Sequence, residues 1–131
     1  MAFIGAEITV IEPGHCEIQL PYRRELSQQH GFFHAGIIGT IADNVGGYAA
    51  YTLMEKGASI LTVEYKINFI SPAKGDRLIG RGHVIRPGRK LTLCRCDVLV
   101  VDRGKEKPCA ASQMTLISLP DFSGRPVKET P

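Results

Sequence analysis

The chain has 131 residues and a net charge of +3, with 44% apolar residues, 22% charged residues and no Trp. This length favours a single domain over residues 1–131, but one that is small for a self-contained catalytic cleft, so an active site shared between subunits is worth considering. The composition is that of a globular protein and excludes disordered and collagen-like classes. Its scattered Lys and Arg residues do not predict nucleic-acid binding.

The sequence favours a cytoplasmic protein with reduced thiols. The first 15 residues lack the order of a secretory signal, and the longest apolar run is interrupted by Asp43 and Asn44, so no membrane segment is expected. Cys94 and Cys96 would share a strand face without favourable disulfide geometry. The four His residues show no zinc-finger spacing around "CRC", and we therefore expect no metal site.

The elements follow in a simple order. Residues 3–20 alternate in polarity around the turn "EPGH" and predict a hairpin. The apolar run from Gly36 to Glu55 predicts one helix that closes at Lys56 and Gly57. Strands are predicted over 59–70, 76–86, 90–102 and 107–119, and the short turns between them favour an antiparallel meander.

These elements predict an α+β architecture in which a curved antiparallel sheet wraps one long helix. The Pro-rich tail from about residue 120 is expected to be flexible. No Gly-rich phosphate loop follows a strand into the helix, and no G-x-S-x-G motif is present, which argues against nucleotide-binding and serine-hydrolase folds.

Asp43 lies in the middle of the predicted helix, where its neighbours along one face are small: Gly36, Gly39, Thr40, Gly46 and Gly47. Glycine inside a helix costs up to about 1 kcal/mol relative to alanine. The simpler interpretation is an acid bonded to a local partner in a tightly packed helix. The alternative is that another backbone or a ligand approaches this face closely.

The stretch "HGFFHAG" precedes this helix and adds a second feature. It brings His34 and the backbone amides of Ala35 and Gly36 to the helix N-terminus. Free N–H groups and the positive end of the helix dipole can polarise a carbonyl oxygen there. A carboxylate and an oxyanion site are therefore predicted on one element.

Together, the spacing of Gln28, Gly31, His34 and Asp43 and the downstream stretches "VEYKINFISPAKGD" and "RPGRK" resemble the hotdog-fold acyl-CoA thioesterases of the phenylacetate-degradation (PaaI-like) type. The resemblance covers about residues 10–118. The family usually has Gly-Gly after the His, whereas this chain has Ala35-Gly36. An alanine still donates its N–H but adopts a positive φ less easily.

The resemblance implies hydrolysis of an acyl-CoA thioester with no metal and no cofactor other than the coenzyme A of the substrate. It implies that Asp43 is the general base or the nucleophile, and that Gln28 orients water or the thioester. His34 and the amides of Ala35 and Gly36 would shape the oxyanion site. Thr62, on the strand after the helix, would position the attacking water.

The turn "RPGRK" offers Gly88, Arg89 and Lys90 for coenzyme A phosphates, with Lys74 in the neighbouring turn. From the residues alone, a solvated basic hairpin tip is equally compatible with this pattern, and the resemblance favours phosphate contact. The acyl pocket is expected to include Phe32, Phe33 and Tyr48, for acyl groups from aryl-acetyl to medium chains.

Helix geometry indicates a shared site. Ala35 and Asp43 are eight residues apart, or roughly 12 Å along a helix, whereas an attacking oxygen and the oxyanion donors meet within about 3 Å of one carbonyl. We therefore expect two chains to build each site, and the resemblance implies two sites per homodimer and often a homotetramer. Two other functions stay open: a hotdog-fold hydratase or dehydratase, which would pair Asp with His, and a non-catalytic acyl-CoA sensor.

Overall fold

A computed structural model describes residues 1–120, and the tail predicted to be flexible lies outside them. The helix α1 spans Ala35–Tyr51, and two 3-10 turns span Ala2–Ile4 and Arg24–Leu26. The strands are β1 (Glu7–Glu12), β2 (His15–Pro21), β3 (Ser59–Phe69), β4 (Arg77–Arg86), β5 (Leu91–Asp102) and β6 (Lys105–Leu119). The predicted N-terminal hairpin is confirmed as β1 and β2, although the first strand begins at residue 7 rather than 3.

All six strands form one antiparallel sheet in the order β1-β2-β4-β5-β6-β3, and α1 contacts every strand. The helix side of the sheet carries alternate buried residues, as the period of two in a strand requires; in β5 these are Cys94, Cys96, Val98 and Val100. The predicted α+β arrangement of one helix against a single antiparallel sheet is confirmed.

The predicted meander is wrong for its first strand. β4, β5 and β6 are joined by hairpins, but β3 pairs with β6, and β4 pairs with β2 instead. The segment 70–76 therefore carries the chain from β3, at one edge of the sheet, across the fold to β4, which lies between β2 and β5. It is held by bonds from Phe33 N–H to the Ala73 carbonyl and from Asp76 N–H to the Val101 carbonyl, 2.9 Å each. By contrast, β5 and β6 are joined by Arg103 and Gly104, both at positive φ, as a two-residue hairpin requires.

α1 buries a stripe with helical spacing against the sheet, formed by Ile38, Ile41, Ala42, Val45, Ala49 and Ala50. The helix ends at Tyr51, four residues before the predicted end at Glu55. Thr52 explains the difference, because its hydroxyl donates to the Ala49 carbonyl at 2.6 Å and accepts the Gly14 N–H at 2.7 Å. The chain then continues in turns to β3.

The helix lies very close to β4 at Gly82. A Cβ atom there would be 2.7 Å from the Val45 carbonyl oxygen, a backbone atom that cannot move without the helix. The absence of a side chain at this position therefore sets the distance between the helix and the sheet.

The opposite face of the sheet carries an ion-pair network. Arg81 donates to Glu17 at 3.1 Å and to both carboxylate oxygens of Glu106 at 3.0 and 2.9 Å. The hydrogen bond from Arg81 lowers the pKa of Glu106. Burial acts to raise the pKa of Glu17, but the hydrogen bonds from His15 and Arg81 outweigh it and the net shift is downward.

All four cysteines lie within the described residues and are free and buried, which agrees with the prediction of unpaired thiols. Burial raises the pKa of Cys16, Cys94 and Cys109 to about 11 each. Within residues 1–120, no helix has the length and apolarity needed to cross a membrane.

Candidate active site

Asp43 has a direct partner on the neighbouring strand. The hydroxyl of Thr62 on β3 donates to Asp43 Oδ1 at 2.7 Å. This bond fixes the orientation of the carboxylate, and the second oxygen, Oδ2, has no hydrogen-bond partner among residues 1–120. A half-buried carboxylate with one free oxygen can accept a proton from water or attack an electrophile. The structure thus joins two of the residues predicted from the sequence.

A groove of about 370 Å³ opens beside this pair. Its helix side follows one face of α1, and its other wall comes from β3 and β6. The lining residues are Asp43, Asn44, Gly47, Tyr48, Tyr51, Ile60, Thr62 and Leu116. The groove therefore offers an apolar surface directly next to the carboxylate, and the prediction that Tyr48 lines a pocket agrees with it.

The small residues around Asp43 do not all share its environment, which corrects the prediction of one open small-residue face. A Cβ atom at Gly46 would overlap Met114 Sδ and lie 2.8 Å from Cys96 Sγ, so Gly46 faces the chain's own sheet. Gly39 is covered by the side chain of Tyr65. Thr40 is exposed, and Gly47 borders the groove.

The helix N-terminus differs in one respect from the prediction. His34 is the N-cap residue, and its Nδ1 accepts the Gly36 N–H at 2.9 Å. The Gly36 amide is therefore already occupied in this chain and is not a free donor. The N–H of Ala35 has no acceptor within the described part of the chain and is exposed at the helix start. That His34 helps to shape an oxyanion site stays a prediction.

Gln28 lies near this helix start. Its backbone N–H bonds the Phe32 carbonyl at 2.9 Å, and its Oε1 accepts the N–H of His30. A second groove of about 530 Å³ runs past Gln28, Phe32 and Ala35 to the segment 69–73. Phe33 borders it but is 3% exposed and meets the Tyr22 ring edge-on at 5.4 Å, so it belongs mainly to the core.

The predicted residues thus form two separate groups in one chain. Asp43 and Thr62 lie at the middle of α1, while Gln28, His34 and Ala35 lie at its start. Eight residues of helix, roughly 12 Å, separate Ala35 from Asp43. Neither group alone combines an attacking oxygen with free donors for a carbonyl oxygen.

Comparison with known proteins identifies the family. Residues 30–107 match the family model of the thioesterase superfamily. The chain belongs to the thioesterase superfamily. A thioesterase family protein from Silicibacter pomeroyi is 46% identical, with a TM-score of 0.90 over 91% of this chain and 88% of that one.

Two further similarities bear on the subgroup. The human protein named acyl-coenzyme A thioesterase 13 is 28% identical over 102 residues, which cover 76% of this chain and 72% of that protein. The E. coli PaaI protein of the phenylacetic acid degradation operon has a TM-score of 0.81 at 16% identity, over 92% of this chain and 83% of that one. At that identity the second similarity supports the fold alone. The resemblance, the hotdog fold and the thioester hydrolase class predicted from the sequence are confirmed.

The residues predicted for coenzyme A lie at opposite ends of this thioesterase chain. Gly88, Arg89 and Lys90 are exposed at the tip joining β4 to β5, next to a groove of about 610 Å³ beyond the C-terminal end of α1. Lys74 is exposed in the segment 70–76, near the N-terminal end of α1. Since β4 separates them, one chain does not bring Lys74 together with Arg89.

Sequence reasoning missed several residues of the first groove. Asn44, which donates to the Thr40 carbonyl at 2.8 Å, and Tyr51 line it together with Asp43. The helical period was the available signal, because Asp43, Asn44, Gly47, Tyr48 and Tyr51 recur at intervals of three or four residues or lie adjacent. Ile60 and Leu116 could not be found this way, since their contribution depends on the pairing of β3 with β6.

Proposed function

We propose that the chain is an acyl-CoA thioesterase that hydrolyses an acyl-CoA thioester to a free acid and coenzyme A. The observation that carries this proposal is the Thr62-bonded carboxylate of Asp43 at the edge of an apolar groove. Water adds to the thioester carbonyl, the C–S bond breaks, and the proton taken from water returns to the leaving sulfur. Membership in the thioesterase superfamily supports this reaction class.

Asp43 acts either as the general base for that water or as the nucleophile. In both cases Thr62 holds Oδ1 and leaves Oδ2 free for the reaction. A carboxylate suffices because a thioester carbonyl is reactive, provided that its developing oxyanion is stabilised. We propose no metal and no cofactor besides the substrate's coenzyme A, and we propose a cytoplasmic location.

We propose that two chains complete each site. β3 is an edge strand, and its apolar residues Leu61, Val63 and Tyr65 are between 46% and 58% exposed. Such an edge favours pairing with another strand. An isologous pairing of β3 with its copy would place two α1 helices side by side and antiparallel.

That arrangement would also unite the two groups of site residues. If Asp43 lies beside the partner's helix start, the segment preceding the partner's helix runs along the exposed face of Asn44, Tyr48 and Tyr51 and covers the groove. The partner's Gln28 and Ala35 N–H would then reach the carbonyl that Asp43 attacks. A homodimer has two such sites, and a homotetramer would repeat them.

The same packing supports contact with the phosphates of coenzyme A. It would bring the partner's Lys74 towards the groove end at which Gly88, Arg89 and Lys90 lie. Among residues 1–120, neither Arg89 nor Lys90 has an ion-pair partner, so both are available for an anion. Changing both to Ala should raise KM for acyl-CoA far more than KM for an acyl-pantetheine without the nucleotide; equal effects would remove this contact.

The test of the proposed function is hydrolysis of a panel of acyl-CoAs, from aryl-acetyl to medium-chain, with detection of the free thiol. Asp43→Asn should lower kcat by at least about a hundredfold while the fold is kept, because it removes the base or nucleophile but preserves the shape. Near-wild-type hydrolysis by Asp43→Asn would exclude the assignment of Asp43.

The same panel distinguishes the alternatives. A hydratase or dehydratase would change the acyl chain and release no thiol. That alternative is disfavoured, because Nδ1 of His34, the histidine at the helix start, already accepts the Gly36 N–H. An acyl-CoA sensor would bind the panel without turnover and be indifferent to Asp43→Asn.

A further inference from the structure

A bulge in β3 gives the site a residue that sequence reasoning did not identify. Thr62 pairs with Leu116 and Glu64 pairs with Thr115, so Val63 is an extra residue in the strand. Thr62 and Tyr65 are three positions apart and would face opposite sides of a regular strand. Because of the bulge, Tyr65 lies opposite Met114, which is 1% exposed, and Tyr65 joins Thr62 on the helix side.

The phenol of Tyr65 reaches the helix at Gly39, one turn before the carboxylate of Asp43. A Cβ atom at Gly39 would lie 3.3 Å from the Tyr65 hydroxyl, so the missing side chain makes room for it. Gly39 and Asp43 are four residues apart and lie on the same face of α1, about 6 Å apart along the axis. The hydroxyl therefore lies about one helical turn from Asp43.

This hydroxyl is available to a ligand. It has no hydrogen-bond partner in residues 1–120, and the Tyr65 side chain is partly exposed. A tyrosine hydroxyl can donate a hydrogen bond. The helix start offers few backbone donors: among residues 1–120, the Gly36 N–H is occupied by His34, the Ile37 N–H is bonded to the His34 carbonyl, and the Ala35 N–H is left free.

The separation from Asp43 matches the length of the reacting group. A water held by Asp43 attacks a carbonyl carbon about 3 Å away, and a donor lies about 2.8 Å beyond the carbonyl oxygen. Because the water approaches the carbonyl at an angle, these lengths do not add in a straight line, and they place the donor roughly 6 to 8 Å from the carboxylate. One helical turn satisfies this separation, whereas the two turns to the Ala35 of the same chain do not.

We propose that Tyr65 is a further catalytic residue, whose hydroxyl donates a hydrogen bond to the carbonyl oxygen of the thioester from the same chain as Asp43. This inference rests on the proposed acyl-CoA hydrolysis. The bond strengthens as negative charge develops on the oxygen, and so it lowers the barrier more than it tightens substrate binding. The partner's Ala35 N–H is the second donor.

The first experiment compares Tyr65→Phe with Tyr22→Phe. Tyr22 is the matched control, because it is 37% exposed against 46% for Tyr65 and its hydroxyl also has no partner in the described chain. Tyr65→Phe should lower kcat by about a hundredfold with KM within about threefold, and Tyr22→Phe should match the wild type. A fall of less than tenfold in Tyr65→Phe, or an equal fall in Tyr22→Phe, would overturn the proposal. Both variants should melt within about 2 °C of the wild type, since neither removes a bond within the protein.

The second experiment measures binding and needs no turnover. One probe is an acyl-CoA analogue with the sulfur replaced by CH₂, which keeps the carbonyl, and the other is an alkyl-CoA thioether, which lacks it. Tyr65→Phe should weaken the binding of the ketone probe about tenfold and leave the affinity for the thioether unchanged. Equal effects on the two probes would overturn the contact.

The two experiments also separate this inference from the function on which it rests. If the wild type hydrolyses acyl-CoAs, Asp43→Asn does not, and Tyr65→Phe retains wild-type activity and ketone affinity, only the role of Tyr65 fails. If the wild type hydrolyses no acyl-CoA of the panel, the proposed function fails, and the ketone probe still decides whether Tyr65 contacts a carbonyl.

Discussion

The shared active site makes a quantitative prediction for mixed dimers. Asp43→Ala removes the attacking group from one half of a site, and Gln28→Ala removes a group from the other half. Within one chain these halves are separated by roughly 12 Å of helix between Ala35 and Asp43, four times the distance of about 3 Å over which they must cooperate. Each variant alone should be almost inactive.

When the two variants are refolded together, half of the dimers contain one chain of each kind. Such a dimer has one site with both defects and one site with neither. Activity should therefore return to about a quarter of the wild-type value, or about half when the mixed dimer is first purified through two different affinity tags. Thiol release under saturating acyl-CoA is the assay, and the tags measure the fraction of mixed dimers.

The control is a mixture of Asp43→Ala with Asp43→Asn, in which both chains lack the same half and no intact site can form. Activity in this control would point to contamination by the wild type. If verified mixed dimers of Asp43→Ala and Gln28→Ala hydrolyse no more than either parent, each chain builds its own site and the helix-length argument fails.

Three further predictions concern stability and need only urea denaturation. Gly82→Ala should lower the free energy of unfolding by about 2 kcal/mol or more, because its Cβ would lie 2.7 Å from the helix backbone. At Gly47 the nearest neighbour of an added Cβ is 3.9 Å away, so Gly47→Ala should be neutral or stabilising by up to about 1 kcal/mol. Equal effects of the two substitutions would contradict this packing. Ser112→Ala should stabilise by about 1 kcal/mol, because the Ser112 hydroxyl is buried without a partner in residues 1–120, and a destabilisation would indicate an unrecognised bond. The hydrogen bond from Arg81 lowers the pKa of Glu106 from its ordinary 4.5. The pair therefore stabilises the fold fully above that pH, and this stabilisation is lost as the pH falls through the lowered pKa of the folded state. Arg81→Gln should thus destabilise the fold at pH 7 and have little effect once the pH lies below the lowered pKa of Glu106, and a loss of stability independent of pH would exclude the ion pair as its cause.

The limits of the sequence prediction are clearest in the sheet. Alternating polarity predicted β3, β4, β5 and β6 to within about two residues, because burial on one face imposes that pattern on any strand in a sheet. The pattern contains no information on which strand lies beside which. The position of β3 next to β6 depends on the passage of residues 70–76 across the fold. Those residues are held mainly by hydrogen bonds between backbone groups, which almost any sequence can form.

The same distinction applies to the candidate site. Asp43 was identifiable because a carboxylate among small residues in an apolar helix conflicts with its surroundings, and such conflicts mark functional positions. Tyr65 produces no conflict, because a tyrosine in a strand is ordinary. Its position on the helix side of the sheet, against Gly39, results from one unpaired residue, Val63, in the register of β3 against β6. A site residue whose orientation depends on a bulge can be identified only when the strand pairing is known. Deletion of Val63 would turn the side chain of Tyr65 or that of Thr62 away from the helix. Among the described residues, this single register shift is therefore what places both hydroxyls on the helix side of β3.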